Sequence, residues 1–232
     1  MSIILTFLAV IAAIAGWWLS RQRLLSKPWL ETGLSPAGLD APAVSQQKVG
    51  LWVFLAVVGG LFALFGSAFV MRNADADWQR LPMPPLIWVN TAVLVLSSVY
   101  LRAAVRAARR HDARDLRTHL ATGGALALMF LFGQLLALRA LAADGYVLAL
   151  SPSSSFFYLI TGLHGLHILG GLAALGLLGL RLNSGAGAAR LRLGVELCAT
   201  YWHFLLGVWV AALAVMLGWA RSLIEICGAL LS

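Results

Sequence analysis

The sequence predicts an all-α membrane protein, a polytopic bundle of about six transmembrane helices. Of its 232 residues, 61% are hydrophobic and only 11% are charged, and the mean hydropathy is +0.87. Soluble domains carry about 25% charged residues, and a helix of ~20 apolar residues crosses a hydrocarbon layer ~30 Å thick. The charged residues are segregated along the chain, so that apolar stretches of about this length lie between them.

Six apolar segments are predicted to span the membrane: residues 3–19, 50–71, 85–105, 120–142, 155–180 and 196–219. No positive charge precedes the first segment and it has no convincing cleavage site, so residues 1–20 are interpreted as an N-terminal transmembrane anchor. Residues 21–49 contain three prolines and are predicted to be a cytoplasmic connector. A five-helix core is expected over residues 50–220, and an external C-terminal tail over 221–232.

The distribution of Lys and Arg predicts the orientation of the chain. Of the 17 basic residues, 13 lie in the segments 20–49, 102–119 and 181–195, and 4 lie in the alternate loops. Because basic residues accumulate on the cytoplasmic side, these three segments are predicted to be cytoplasmic and both termini external, in a bacterial-type inner (plasma) membrane. This pattern accounts for the net charge of +8, so nucleic acid is not expected as a partner.

Polar side chains inside the apolar segments are few. Because burying a polar group in lipid costs free energy, each of them indicates a contact or a function. They are Asn90, Thr91, Ser97, Ser98, Gln134, His164, His167, Glu196, Tyr201 and His203. His164 and His167 are three residues apart, so they lie on one face of a helix. Glycines flank them and allow a neighbouring helix to approach closely.

Three interpretations of the histidines compete. Haem ligation by two helices requires two histidines at equal depth in the membrane. Measured by helical rise from the predicted cytoplasmic end of each span, His167 lies about 21 Å from Arg181, but His203 lies only about 12 Å from Val195. A metal site built on H-x-x-H lacks a cysteine or a second carboxylate at matching depth. We favour the third interpretation, in which neutral imidazoles hold helices together or contact a lipid head group or a partner subunit.

Glu196 precedes the last apolar segment and follows two arginines. One interpretation is that its carboxylate lies at a helix N-terminus, where negative charge is favourable, and pairs with those arginines. The other is that it holds the segment 196–219 against the segment 155–180. The two cysteines have no metal-ligand spacing and are interpreted as small packing residues.

Two stretches, SSSFFYLITGLHGLHILGG at 153–171 and GVELCATYWHFLLGVWV at 194–210, resemble subunit III of the haem-copper (cytochrome c) oxidase family. The family pattern is a T-G-x-H-G-x-H span followed by a span that begins G-x-E and contains Y-W-H-F. The matching residues are Thr161, Gly162, His164, Gly165, His167, Glu196, Tyr201, Trp202, His203, Phe204 and Trp209. Asn90 and Thr91 match a further family span, and the resemblance covers about residues 48–220.

The resemblance implies a non-catalytic subunit III of a terminal respiratory oxidase, beside subunit I and in one complex with subunit II. No catalytic, metal-binding or cofactor-binding residue is expected in this chain, and haem and copper are expected in the partner subunits. The chain is expected to stabilise the catalytic subunit and to support proton uptake during electron transfer from cytochrome c to oxygen. A cleft between its helices is expected to bind phospholipid.

The resemblance also assigns residues to helix packing or lipid contact: His164, His167, Glu196, Tyr201, Trp202, His203, Trp209 and Asn90. Two positions depart from the family. Val58 stands where many members carry a buried glutamate, and Leu206 stands where an aspartate often follows W-H-F. A role that depends on either carboxylate does not carry over to this chain.

Alternative functions remain open from the sequence. An accessory subunit of a nitric oxide reductase shares the fold and much of the signature, and the neighbouring catalytic chain would distinguish it. A stand-alone haem-binding membrane cytochrome would be recognised by the absorption spectrum of the isolated chain. A small transporter is disfavoured because the sequence has no internal repeat and few charges within its apolar segments.

Overall fold

The computed structural model describes residues 46–73, 82–146, 151–185 and 188–218, with the backbone alone for 188–190. This part of the chain contains five α-helices, each long and apolar enough to cross a membrane. They are α1 (Gln46–Arg72), α2 (Leu86–Arg109), α3 (Ala113–Ala143), α4 (Pro152–Asn183) and α5 (Ala188–Met216). The all-α, multi-pass membrane fold predicted from the sequence is thereby confirmed.

The helices run alternately up and down, and four of them form the main body. The most extensive contact joins α2 to α3, and α5 packs against both α2 and α4. Helix α1 lies at the side of this body, where it packs mainly on α5 and to a lesser extent on α4. This arrangement brings the start of α1, the turn between α2 and α3, and the turn between α4 and α5 to one end of the bundle.

Local sequence signals explain where the helices begin. The Asp112 carboxylate accepts hydrogen bonds of 3.0 Å from the backbone N–H groups of Arg114 and Asp115, which caps α3. Ser151 and Ser154 form a reciprocal capping box at the start of α4, with a proline in the first turn. The short turn between α2 and α3 contains a left-handed residue, His111, with φ of 60°.

The side chains divide into a tightly packed interior and an apolar exterior. Trp202, Trp209 and Phe130 are almost completely buried between the helices. Large apolar side chains such as Val57, Leu64 and Phe132 point outwards instead. An apolar exterior is what a helix bundle presents to lipid, and its helices satisfy their own backbone hydrogen bonds.

The helices are longer than the apolar segments predicted from hydropathy. Residues 102–119 were expected as a loop, yet α2 continues to Arg109 and α3 begins at Ala113. The predicted loop 181–195 is likewise mostly helical, and α1 begins at Gln46, inside the predicted connector. Hydropathy detects only the part of a helix that suits hydrocarbon, whereas a helix also continues through its polar, arginine-bearing turns. The predicted segment 3–19 and the tail 221–232 lie outside the described residues.

Candidate functional site

The side chain of His164 lies at the centre of the bundle and contacts aromatic rings from three other helices. Its imidazole stacks on Trp209 of α5, with ring centroids 5.1 Å apart and an interplanar angle of 26°. Phe130 of α3 and Phe62 of α1 meet it edge-on, at 6.0 and 6.2 Å. His164 is only 1% exposed, and within the described residues neither of its ring nitrogens has a hydrogen-bond partner. Its contacts between helices are therefore made by the ring face and edges.

His167, one turn further along α4, is half-buried and lies beside the contact between α4 and α5. Its Nδ1 donates to the carbonyl of Leu163 in its own helix, at 2.8 Å. The hydroxyl of Tyr201 in α5 donates to the backbone carbonyl of His167, also at 2.8 Å. The hydrogen bond between these two helices thus uses the backbone of His167, while its ring contacts Phe62 at 5.6 Å.

Asn90 and Thr91 form a second polar contact region, between α2 and its neighbours. The buried Asn90 Nδ2 donates to Oε1 of Gln134 in α3, at 2.8 Å. The Trp209 indole N–H donates to the Thr91 hydroxyl at 3.0 Å, and this hydroxyl donates in turn to the Ile87 carbonyl. Since Trp209 also stacks on His164, one tryptophan connects this polar region to the aromatic cluster.

Trp202 is completely buried, and its position depends on a glycine of the opposite helix. A Cβ on Gly171 would lie 2.5 Å from Trp202 Cζ3 and 2.8 Å from Tyr201 Cε1. The absence of a side chain at this position lets α4 and α5 approach closely. Gly133 of α3 likewise leaves room for the Asn90 side chain of α2, because a Cβ at this position would overlap the Asn90 amide.

Glu196 pairs with three basic side chains at the end of the bundle where α1 and α5 begin. Its Oε1 lies 3.2 Å from Arg109 Nη2 of α2 and 3.2 Å from Arg192 Nε of its own helix. Its Oε2 lies 4.0 Å from Lys48 Nζ of α1. The expected pairing of Glu196 with a preceding arginine is seen at Arg192. Glu196 does not open its helix, however, because α5 begins two turns earlier, and the carboxylate also contacts α1 and α2.

His203 lies about two turns beyond Glu196 on the same side of α5, and both line a groove of about 840 Å³ between α1, α2 and α5. Its Nδ1 donates to the Ala199 carbonyl of its own helix. Two further grooves run along α1 where it faces α4 and α5, with volumes of about 500 and 460 Å³. Helix α1 is thus bordered by open grooves on both sides.

His167 and His203 lie closer in depth than helical rise predicted. Gly194 faces Leu178 and Gly171 faces Trp202, which places the two histidines within about 3–5 Å of one another in depth. The expectation failed because α5 begins at Ala188 and not near residue 196. What separates the two imidazoles is their direction: His203 faces the groove bordered by α2, and His167 contacts Phe62.

The remaining metal-ligating and acidic side chains of the bundle are dispersed. Within the described residues, no group of three or more His, Cys, Asp or Glu side chains is placed to hold a metal ion. The thiol of Cys198 is free and buried. Val58, which the family resemblance places at the position of a buried glutamate, is only 3% exposed on α1.

Several residues of this region were not predicted from the sequence. Phe62 and Phe130 complete the aromatic surroundings of His164. Ser97 was noted as a polar side chain in an apolar segment, but its partner was not: it donates to the Gly123 carbonyl at 2.8 Å and joins α2 to α3. A phenylalanine inside an apolar helix does not indicate in the sequence whether it contacts another helix. Gly133 beside Gln134 does indicate such a contact, because small and polar residues are enriched where membrane helices meet.

Comparison with known proteins agrees with this architecture. The family model described as cytochrome c oxidase subunit III matches residues 52–221. The probable cytochrome c oxidase subunit 3 of Mycobacterium tuberculosis is 34% identical over 164 residues, which is 68% of this chain and 78% of that protein. The cytochrome c oxidase subunit 3 of Thermostichus vulcanus is 31% identical over 170 residues, 70% of this chain and 82% of that protein.

A third relative, the probable cytochrome c oxidase subunit 3 of Nocardia farcinica, is 32% identical over 182 residues, 76% of this chain and 88% of that protein. The family match includes α2, α3, α4 and α5 completely, together with most of α1. It therefore covers the aromatic cluster, the polar contacts and the pairs of Glu196 with Arg109 and Arg192, whereas Lys48 lies outside the match. The chain belongs to the cytochrome c oxidase subunit III family and is a membrane subunit of a respiratory haem-copper oxidase.

Proposed function

We propose that this subunit stabilises the catalytic subunit I, beside which it packs in a complex with subunit II, and supports proton uptake during turnover. The observation that carries the proposal is that polar side chains within the bundle form hydrogen bonds between its helices. Asn90, Tyr201 and Trp209 each donate a hydrogen bond to another helix of the same chain. Such contacts favour a rigid bundle that supports a partner, and the electron transfer from cytochrome c to oxygen takes place at the haem and copper of partner subunits.

Phospholipid is a further proposed component. The two grooves between α1, α4 and α5 are lined mainly by apolar side chains, whereas the groove next to α2 combines apolar with charged ones, and all three are open. Acyl chains that fill them would keep α1 in contact with α4 and α5 while excluding water. The side chains of Tyr201 and His203, which line two of these grooves, are proposed to contact this lipid.

The proposed orientation places the end of the bundle that carries Glu196 on the cytoplasmic side of a bacterial inner membrane. Lys48, Arg109 and Arg192 all lie at this end, since each contacts the same carboxylate. Basic residues favour the cytoplasmic side. Proton uptake from the cytoplasm would then take place at the side where the basic turns of this subunit lie.

The test compares the oxidase complex purified with and without this chain. We expect the complex that lacks it to keep its haem and copper content and its initial rate of oxygen reduction, but to inactivate after fewer turnovers. The measurements are metal analysis, the reduced-minus-oxidised spectrum, and oxygen consumption followed to inactivation. Loss of a metal centre, or an unchanged number of turnovers before inactivation, would contradict the proposal. The catalytic chain that co-purifies would distinguish an oxidase from a nitric oxide reductase.

A further inference from the structure

Two buried side chains, one on α3 and one on α4, carry polar atoms without a hydrogen-bond partner in the described part of the chain. Gln134 is 5% exposed and Thr161 is 4% exposed. The unpartnered atoms are Nε2 of Gln134 and Oγ1 of Thr161. Buried polar groups nearly always bond to the protein or to an ordered water, because burying them unpaired costs free energy. These two atoms therefore indicate a site for a small ligand inside the bundle.

The register of the two antiparallel helices brings Gln134 and Thr161 face to face. Phe130 of α3 meets His164 of α4 edge-on, with ring centroids 6.0 Å apart. Gln134 follows Phe130 by four residues and Thr161 precedes His164 by three, so each lies one turn away on the same face of its helix. Because α3 and α4 run in opposite directions, both steps lead towards the same end of the bundle. The two residues then differ in depth by only about 1.5 Å.

The other hydrogen bonds of these helices show which groups remain available between α3 and α4. The Gln134 Oε1 accepts from Asn90 Nδ2 at 2.8 Å, so this oxygen is committed to α2 and Nε2 is the atom left for α4. Thr91 and Thr200 donate to the carbonyl four residues earlier in their own helix, at 2.8 and 2.9 Å. Thr161 makes no such bond. Its hydroxyl is therefore free to bond to a group that lies between the two helices.

The chemistry of the two groups selects a small, neutral acceptor. The Gln134 amide nitrogen only donates, and the Thr161 hydroxyl can donate to the same oxygen. Neither side chain is charged, so an ion would lose its hydration without gaining an opposite charge. A water molecule accepts two hydrogen bonds, and buried waters typically make about three hydrogen bonds to the protein. The third can go to the Phe157 carbonyl, four residues before Thr161, since a backbone carbonyl has two lone pairs.

We propose that an ordered water molecule binds between α3 and α4 at the level of Gln134 and Thr161. It accepts one hydrogen bond from Gln134 Nε2 and one from Thr161 Oγ1, and it donates one to the Phe157 carbonyl. Together with the bond between Asn90 and Gln134, this water completes a polar layer that joins α2, α3 and α4. The inference concerns the interior of the subunit and does not depend on its proposed role beside subunit I.

His164 is not assigned to this water, although its ring nitrogens also have no partner among the residues that the structure describes. Trp209 stacks on its ring, and Phe130 and Phe62 meet it edge-on. The surroundings of the imidazole are thus aromatic, whereas a buried water needs two to four polar partners. Gln134 and Thr161, one turn away, provide such partners.

The experiment compares density maps of the whole oxidase complex, at a resolution that shows ordered waters, for the wild type and four variants. Thr161→Val removes the hydroxyl and keeps the shape of the side chain, whereas Thr161→Ser keeps the hydroxyl. Gln134→Leu removes the other donor. Thr200→Val is the matched control, because the hydroxyl of Thr200 is satisfied within its own helix. The thermal midpoint of the complex is measured for each protein and for the double variant of Gln134→Leu with Thr161→Val.

We expect a density peak about 2.7–3.2 Å from both Gln134 Nε2 and Thr161 Oγ1 in the wild type, in Thr161→Ser and in the control. Thr161→Val and Gln134→Leu should each lose the peak. The thermal midpoint should fall in Thr161→Val and stay unchanged in Thr200→Val. The double variant should be no less stable than Gln134→Leu alone, because the water is already lost in that variant.

A wild-type map without this peak, or one in which Gln134 and Thr161 bond to each other directly, would overturn the inference. So would a peak that bonds to His164 instead, or one that persists in Thr161→Val. Additive losses of stability in the double variant would also contradict it, since two groups that hold one water must act together.

Discussion

The histidine of the T-G-x-H motif is used in this bundle as an aromatic ring. His164 stacks on Trp209 and meets two phenylalanines edge-on, and its nitrogens have no partner within the described residues. Offset or edge-to-face ring pairs contribute about 0.5–1.5 kcal/mol beyond the burial of their area. An unpaired buried nitrogen, by contrast, costs free energy. The ring contacts therefore account for the stabilising contribution of this side chain.

These ring contacts predict how substitutions at His164 behave. His164→Ala should destabilise the bundle by about 3 kcal/mol, because it leaves a cavity beside Trp209 and Phe130. His164→Phe should retain most of the stability, since it keeps a planar ring and removes two unpaired nitrogens. Thermal unfolding of the chain within the purified complex measures both. If the phenylalanine variant is as unstable as the alanine variant, the nitrogens of His164 have partners of their own.

At the scale of residues, the sequence revealed polar side chains and missed their apolar neighbours. His164, Asn90 and Trp209 were recognised because a polar group in a membrane span, or a match to a family motif, marks a position. Phe62 could not be recognised, since a phenylalanine on α1 has the same composition signal whether it faces lipid or a histidine. The contact exists only through the approach of α1 to α4, which no local pattern encodes.

At the scale of the helices, the contact between α4 and α5 depends on close approach at one glycine. Trp202 is completely buried and Tyr201 is held by its hydrogen bond to the His167 carbonyl, so neither ring is free to move away from Gly171. A Cβ on the adjacent Gly170 would meet no neighbouring atom within 4 Å. Two neighbouring glycines of one helix thus differ completely in their surroundings.

Alanine substitutions at these two glycines should therefore have opposite effects. Gly171→Ala should destabilise the packing of α4 on α5 by about 1–3 kcal/mol through overpacking. Gly170→Ala should be neutral or stabilising by up to about 1 kcal/mol, because alanine is the better helix former. The thermal midpoint of the complex and the retention of this subunit during purification measure the difference. Equal effects at both positions would show that α4 and α5 do not approach at Gly171.

The existence of the helices was predictable from the sequence, but their ends and partners were not. Long apolar segments predicted all five described helices, since crossing a hydrocarbon layer requires about 20 apolar residues. Their polar ends were interpreted as loops because hydropathy falls at arginines such as Arg106 and Arg109, although the helix continues. Of the partners of Glu196, Arg192 was expected, but Arg109 and Lys48 were missed because they lie on other helices, whose packing hydropathy does not reveal.

At the scale of the whole molecule, the fold collects basic residues at one end. Lys48, Arg109 and Arg192 come from three helices that are distant in sequence, yet they surround one carboxylate. Their side chains are 45–58% exposed, so these pairs add little stability by themselves. We expect this clustering to act mainly on the orientation of the chain in the membrane, which is a property of the molecule as a whole.

The orientation leads to a prediction for the two ends of α3, which spans 31 residues or about 46 Å. In a chain with Cys198→Ala and Cys227→Ala, the variants Ala113→Cys and Ala143→Cys place one exposed thiol at each end without changing the charge. A membrane-impermeant maleimide added to intact cells or right-side-out vesicles should label residue 143 and reach residue 113 only after permeabilisation. The cysteine-free chain controls for background labelling. The reverse pattern would place the basic end outside, against the positive-inside rule, and labelling of both thiols from one side would mean that α3 does not cross the membrane.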